Sequence, residues 1–267
     1  MSTSPKRKSE APSEDESENN KKPRIEEKNS GSEAEEVLPF NPEALPDSHI
    51  DHKAAIAYWS SCEATDNGVL GGYPQVSRVD IQGSKNFLAK LRQSSKHFPR
   101  SEKLKRVVDC GAGIGRITNG FLSKIAETVD IVEPVKSFTD QIRVDKIGNI
   151  YQVGLEDWHP DQDGLGPYDL IWNQWCVGQL SDTELVKYLK RLPPALSEGG
   201  WIVVKENLSN HYLGEDVYDE TDSSVTRTDD KFRKLFEDAG LMIVRTELQK
   251  GMPKSLYPVR TYALQPR

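Results

Sequence analysis

No apolar run in this sequence approaches the roughly 20 residues needed to span a bilayer, and the polar N-terminus has no secretory h-region. Cysteine is scarce. Cys62, Cys110 and Cys176 are odd in number and far apart, which excludes a disulfide framework and a zinc-ligand pattern and predicts a reducing compartment. A basic surplus is also missing: the net charge of -7 argues against a chain built to coat nucleic acid, and no such partner is expected. From residue 1 to about 37 apolar residues are almost absent, so the segment cannot bury enough surface to offset its ordering entropy and reads as a disordered tail. Residues 38–267 are ample for a single packed domain.

Within the tail, Pro5-Lys6-Arg7-Lys8 and Lys21-Lys22-Pro23-Arg24 flank an acidic, Ser-rich spacer. Two basic clusters so spaced suit a bipartite import signal, which predicts an import receptor as partner and residence in nucleus and cytoplasm.

The folded part alternates in period. A helix is expected over 48–61, then a loop over 66–74 where glycine disfavours helix, then a helix over 76–95 with Phe87, Leu88 and Leu91 on one side. Strands follow at 106–110, 128–133, 150–153, 168–173 and 200–206, with helices between them at 115–126 and 135–146. Ser181 with Glu184 marks the capping box of a further helix, and another is expected over 229–239. Two last runs, 241–248 and 257–264, are close enough to pair antiparallel at one edge. The alternation predicts an α/β fold, mainly parallel, with helices on both faces.

Asp109-Cys110-Gly111-Ala112-Gly113-Ile114-Gly115-Arg116 joins a strand to a helix, where glycines let backbone approach a ligand closely. Glu133 ends the next strand about 20 residues on, placed to accept from both hydroxyls of a ribose. A nicotinamide dinucleotide, a methyl donor and a plain structural turn all fit that much. Two features favour S-adenosylmethionine. The spacing is Gly-x-Gly-x-Gly, without the third glycine of the dinucleotide fingerprint, and Asp109 would repel a pyrophosphate but welcome an ammonium group. Leu155-Glu156-Asp157 after the third strand offers polar groups to an adenine edge. Trp172 alternates with its strand neighbours and reads as core. Trp175 lies just beyond that strand's carboxyl end, where open α/β sheets bind ligands. Cys176 has no neighbouring base and reads as packing, and no metal site is expected.

Tyr58-Trp59, Gly68-Val69-Leu70-Gly71-Gly72-Tyr73, Asp109 to Thr118, Ile171-Trp172-Asn173-Gln174-Trp175, Lys205-Glu206-Asn207, Asp222-Ser223-Ser224-Val225 and Leu256-Tyr257 occur in that order. With these stretches the sequence resembles the eukaryotic α-N-terminal protein methyltransferases, over nearly all of residues 50–264. The resemblance implies a Rossmann-like class I methyltransferase, with a seven-stranded sheet and an N-terminal helical lid, acting on proteins that begin Xaa-Pro-Lys. It implies cofactor contacts at Gly111, Gly113, Arg116, Glu133, Pro134, Leu155, Glu156 and Gln174. It implies substrate contacts at Tyr58, Leu70, Trp175, Asn207, Asp219, Asp222, Ser224 and Tyr257, with Asp222 and Asn207 in the chemistry. Asp222 is the candidate base, Trp175 a wall for a proline ring, and Asp219, Glu220 and Asp222 an acidic cluster suited to a lysine. Two departures stand out. Gln179 occupies a place where the family carries histidine, and Glu156 one where glutamine is familiar. Glutamine takes no proton at neutral pH, so any base role there passes to Asp222. A methyltransferase acting on another amine, or a weakly active nuclear scaffold, is the alternative; the sequence has no Asn-Pro-Pro-Tyr run of the kind that serves aromatic amines.

Overall fold

The computed structural model describes residues 45–160 and 166–267. The basic clusters and the boundary expected near residue 37 lie outside the described residues. Seven strands form one sheet: β1 (Leu104–Cys110), β2 (Ala126–Val132), β3 (Ile147–Tyr151), β4 (Tyr168–Gln174), β5 (Leu196–Asn207), β8 (Leu241–Leu248) and β9 (Val259–Pro266), in the order β3-β2-β1-β4-β5-β9-β8. Pairing is parallel from β3 through β5, and β9 runs antiparallel to both β5 and β8, so β9 alone is reversed. The mainly parallel sheet and its antiparallel terminal pair are as expected.

Successive side chains of the central strands point to opposite faces, and both faces are covered. Val108, Ile171 and Ile202 pack with Leu185 and Leu189 of α6 (Asp182–Arg191) and Phe232 and Phe236 of α7 (Asp229–Asp238). Val107, Leu170, Trp172 and Val203 pack on the other side with Phe87, Leu88 and Leu91 of α3 (Val76–Gln93). Trp172 is thus core, as its alternation requires. Each fully buried aliphatic or aromatic side chain contributes about 1.5–3 kcal/mol.

A third apolar cluster lies apart from these two. Ala55 and Trp59 of α1 (His52–Ser61), Val69 and Leu70, Trp175, Leu256 and Val259 form the interior of an N-terminal lid. The lid helix begins at His52, later than the expected 48, because Asp51 caps it by accepting from the amides of Lys53 and Ala54. Residues 46–49 form a separate 3-10 turn.

Three expectations need correction, and one element was not foreseen. The loop over 66–74 contains a one-turn helix, α2 (Asp66–Val69), capped by the Thr65 hydroxyl; Gly68 is required there because a Cβ would sit 2.0 Å from the Glu63 carbonyl oxygen. The helix expected over 115–126 carries a π segment, Thr118–Leu122, before α4 (Ser123–Ile125). The helix expected over 135–146 is only one turn, α5 (Lys136–Thr139). Val135 and Phe138 join the lid cluster while Ile142 joins the sheet cluster, and one continuous helical face cannot serve both. A two-stranded hairpin, β6 (Val217–Asp219) with β7 (Ser224–Thr226), was not anticipated.

The chain passes from β1 outward through β2 to β3, then returns to β4 on the other side of β1. Between β1 and β4 the order reverses, and that switch point is where open α/β sheets carry their ligand crevice.

Candidate active site

Two loops meet at the switch point. After β1, Gly111 and Gly113 adopt left-handed φ of 65° and 56°, a conformation costing an L-residue with a Cβ about 1–2 kcal/mol. The amides of Gly111 and Ala112 donate to the Val132 carbonyl, which ties the loop to the end of β2. Glu133 completes the tie. Fully buried, it accepts from the amide of Gly113 at 2.9 Å through one carboxylate oxygen and from that of Val135 at 2.9 Å through the other. Glu133 is therefore a clamp on the glycine loop.

After β4, Trp175 is left-handed at φ 53°, a strained state for a bulky residue and one that clusters at functional sites. Glu206 holds the strain in place, accepting from the amides of Cys176 at 2.8 Å and Val177 at 3.0 Å. The Trp175 ring is fully buried in the lid cluster. The Arg116 guanidinium carbon lies 5.1 Å from its ring centroid.

Arg116 points to a ligand. Its Nη1 is 2.6 Å from Asp80, while its buried Nε and Nη2 have no hydrogen-bond partner among the described residues. An orphaned two-donor edge of a buried guanidinium is matched by a carboxylate. Beside this site a cleft is lined by Gly111, Pro134, Gly154, Leu155, Glu156 and Gln179, so the loops after β1, β2, β3 and β4 share one surface. The residues present fit S-adenosylmethionine: Arg116 for its carboxylate, Glu133 for its ribose, and the cleft of Leu155 and Glu156 for its adenine.

Asp109 and Gln174 have protein partners that the sequence did not indicate. Asp109 is buried and accepts from the Thr118 hydroxyl at 2.6 Å, and burial pushes its carboxyl up to about 6 against the pull of Thr118 and Arg116. Gln174 gives its amide to both carboxylate oxygens of Asp80, at 3.0 and 2.8 Å, and accepts from Trp172, so it acts on Arg116 through Asp80. The contact between Gln174 and Asp80 was not expected. Asp80 escaped the sequence reading because a lone acid within an amphipathic helix carries no signal of burial.

The substrate-side residues come from four segments. Asn207 ends β5 beside Val259, buried. Leu70 and Tyr257 are buried in and beside the lid. Asp222 and Ser224 lie on the hairpin, the Ser224 hydroxyl donating to Asp222 at 2.7 Å. Asp219, partly exposed on β6, accepts from the Thr221 amide. Tyr58 links lid and hairpin: burial first, then Cys62 and the negative charge of Asp222 and Asp219, push its phenol up to about 12. Gln179 is buried under the hairpin turn. Its amide nitrogen is best oriented toward the carbonyls of Asp222 and Ser223, at 3.0 and 3.2 Å, a better pairing than the 3.5 Å contact to Asp222 Oδ2 that the opposite orientation offers.

Polar contacts fasten the lid. The Asp51 amide donates to Ser223 Oγ at 2.7 Å, and Ser223 is itself left-handed at φ 52°. His52 meets Glu184 at 2.9 Å and faces Glu156 at 3.9 Å. Asp47 accepts from the amide of Asp182, the first residue of α6. The Cys176 thiol donates to the Cys110 carbonyl and is pushed well up by burial, consistent with packing. Among the described residues no group of three or more His, Cys, Asp or Glu is arranged to hold a metal ion, and no helix is long and apolar enough to cross a membrane.

A family profile described as AdoMet dependent proline di-methyltransferase matches residues 47–265. The alpha N-terminal protein methyltransferase 1 of Schizosaccharomyces pombe is 42% identical, over 79% of this chain and 94% of its own length. The N-terminal Xaa-Pro-Lys N-methyltransferase 1 of Xenopus tropicalis is 36% identical, over 78% of this chain and 92% of its own. A solved SAM-dependent methyltransferase from Leishmania major superposes with a TM-score of 0.70 at 36% identity, covering 80% of this chain and 82% of that one.

Proposed function

The chain belongs to the AdoMet-dependent proline di-methyltransferase family, and we propose that it methylates the α-amino group of proteins that begin Xaa-Pro-Lys once the initiator methionine is gone. The observation that carries this reading is the buried Asp222–Ser224 pair on an acidic hairpin, resting on Gln179, which also lines the cleft beside Arg116 and Glu133. S-adenosylmethionine supplies a methyl carbon bonded to a positively charged sulfur.

The chain's own residues do the rest. An α-amino group titrates near pH 8, so a modest neutral fraction exists at pH 7. Asn207, with one donor and one acceptor in its amide, orients the terminal amine and first peptide group. Asp222 receives the proton, directly or through water, while Ser224 fixes one of its oxygens. Trp175 provides a flat wall for the proline ring and cation–π attraction for a methylated ammonium product. Asp219 and Glu220 meet the lysine. Holding amine and methyl carbon in register is worth about 7–11 kcal/mol of the barrier, and a general base about 10²–10⁴-fold more. With glutamine at 179, that position holds the hairpin backbone and moves no proton.

Peptides decide the matter. The full-length protein with S-adenosylmethionine should methylate a peptide with a free Xaa-Pro-Lys end, and should leave its N-acetylated form and the same triplet placed internally untouched. Equal methylation of an internal triplet overturns the reading. The Pro5–Lys8 and Lys21–Arg24 clusters support distribution between nucleus and cytoplasm through an import receptor. A tail–reporter fusion should enter the nucleus and lose that ability when either cluster is replaced by glutamate.

A further inference from the structure

We propose that Asp80 is a positioning residue that sets selectivity for the amino-acid end of the methyl donor, acting through a buried relay of Arg116, Gln174 and Lys205. Asp80 lies on α3, outside the glycine loop and every stretch that marked the cofactor site in the sequence. It is fully buried, and its carboxylate meets three residues from three other segments. Arg116 Nη1 lies at 2.6 Å, Lys205 Nζ of β5 at 2.5 Å, and the Gln174 amide of β4 contacts both oxygens.

The open donors set this apart from a purely structural salt bridge. The Asp80 carboxylate stands between two buried cations, Arg116 and Lys205. Lys205 is turned inward, its ammonium surrounded by the Asp80 carbonyl at 3.1 Å, Ser84 Oγ at 3.0 Å and Gln249 Oε1 at 3.1 Å. Arg116 keeps Nε and Nη2 open. Asp80 holds the guanidinium by the third nitrogen and Trp175 covers its face, so the two-donor edge is fixed before any ligand arrives. A carboxylate on that edge satisfies both donors with bidentate geometry. Burial alone would raise the Asp80 carboxyl, but Lys205 and Arg116 overcome it and hold Asp80 below the usual carboxylate range, ionised at neutral pH. Burial pulls the Lys205 ammonium down, against Asp80. The relay also reaches the substrate wall, since Gln174 immediately precedes the left-handed Trp175.

The inference rests on the methyl-donor reading, and its test separates the two. Calorimetry on the full chain would compare S-adenosylhomocysteine, which carries the carboxylate, with 5′-methylthioadenosine, which lacks the amino-acid end. In Asp80→Asn the affinity for S-adenosylhomocysteine should fall about tenfold or more, while that for 5′-methylthioadenosine stays within about twofold. Because Asp80→Asn leaves Lys205 unpaired and threatens folding, Asp80→Asn/Lys205→Met removes the stranded charge and should show the same lost preference. Adding Asp80→Asn to Arg116→Gln should cost nothing further, because the two act as one unit. Parallel weakening of both ligands, or full retention of the preference in the variants, overturns the relay. A wild-type protein that binds neither compound overturns the methyl-donor reading itself.

Discussion

Gly111, Glu133 and Gln174 stand at the ends of β1, β2 and β4, whereas Tyr58, Asp219 and Asp222 stand on the lid and the β6–β7 hairpin. The first group is built into the sheet: main-chain bonds tie the glycine loop to β2, and buried carboxylates clamp what remains. The second group is held by the buried apolar cluster of the lid and by polar contacts, Asp51 to Ser223 of the hairpin and His52 to Glu184 of α6 among them. The first half is thus fixed by main-chain and carboxylate bonds within the sheet, the second by packing of the lid on its surface. That division suits a protein that must admit the end of another chain, because closing the lid can follow peptide entry without disturbing the cofactor.

Substitutions can break or sharpen this contrast. Asp222→Asn should act on chemistry alone, lowering kcat about 10²–10⁴-fold with cofactor affinity unchanged in calorimetry. Near wild-type turnover from about pH 6 to about pH 9 would remove Asp222 from the base role. Glu133→Ala should do the reverse. It unties the Gly113 and Val135 amides, and S-adenosylhomocysteine affinity should fall about 100-fold, the scale of one to two charge-assisted bonds. An unchanged affinity would mean that the glycine loop holds its shape without the clamp. Asp51→Ala removes the cap of α1 and should destabilise the lid by about 1 kcal/mol, seen as faster amide exchange in α1 with the sheet unaffected. Exchange that accelerates equally in β1 and β4 would mean that lid and sheet open together.

The smallest effect concerns pH. Burial would lower the His52 imidazole, but its hydrogen bond to Glu184 and the charges of Glu156, Glu184 and Asp157 raise it above 6.5. A raised folded value means the contribution is complete below about pH 6.5 and is lost as pH climbs through that folded value. Wild type should therefore exceed His52→Gln in thermal stability by up to about 1 kcal/mol in mild acid, the difference fading in alkali. A difference that grows with pH would show that the contact acts through the neutral ring.

Much of the cofactor half was legible before any coordinates. Continuous apolar runs marked β1, β2 and β4, and the Ser181–Glu184 capping box marked the start of α6. The glycine spacing with Glu133 marked the methyl-donor loop, because close backbone approach and a strand-end acid are local requirements. The hairpin escaped notice. Its strands are three residues long, too short for alternation to register; β7 is buried and β6 half-buried. The expected helix over 135–146 failed for a related reason: Phe138 and Ile142 have helical spacing but belong to two different cores.

By itself the sequence determined where strands, glycine turns and caps form, since these depend on a residue and its near neighbours. It also determined the family, through unusual motifs kept in order. The tertiary structure decided which charges meet. Asp80, Arg116, Gln174 and Lys205 are spread over 125 positions of chain, and only the sheet's crossover at β1 and β4, with α3 laid against one face, brings them together. Burial then converts that proximity into selectivity, because a charge removed from water must find its partner inside the protein or in the ligand.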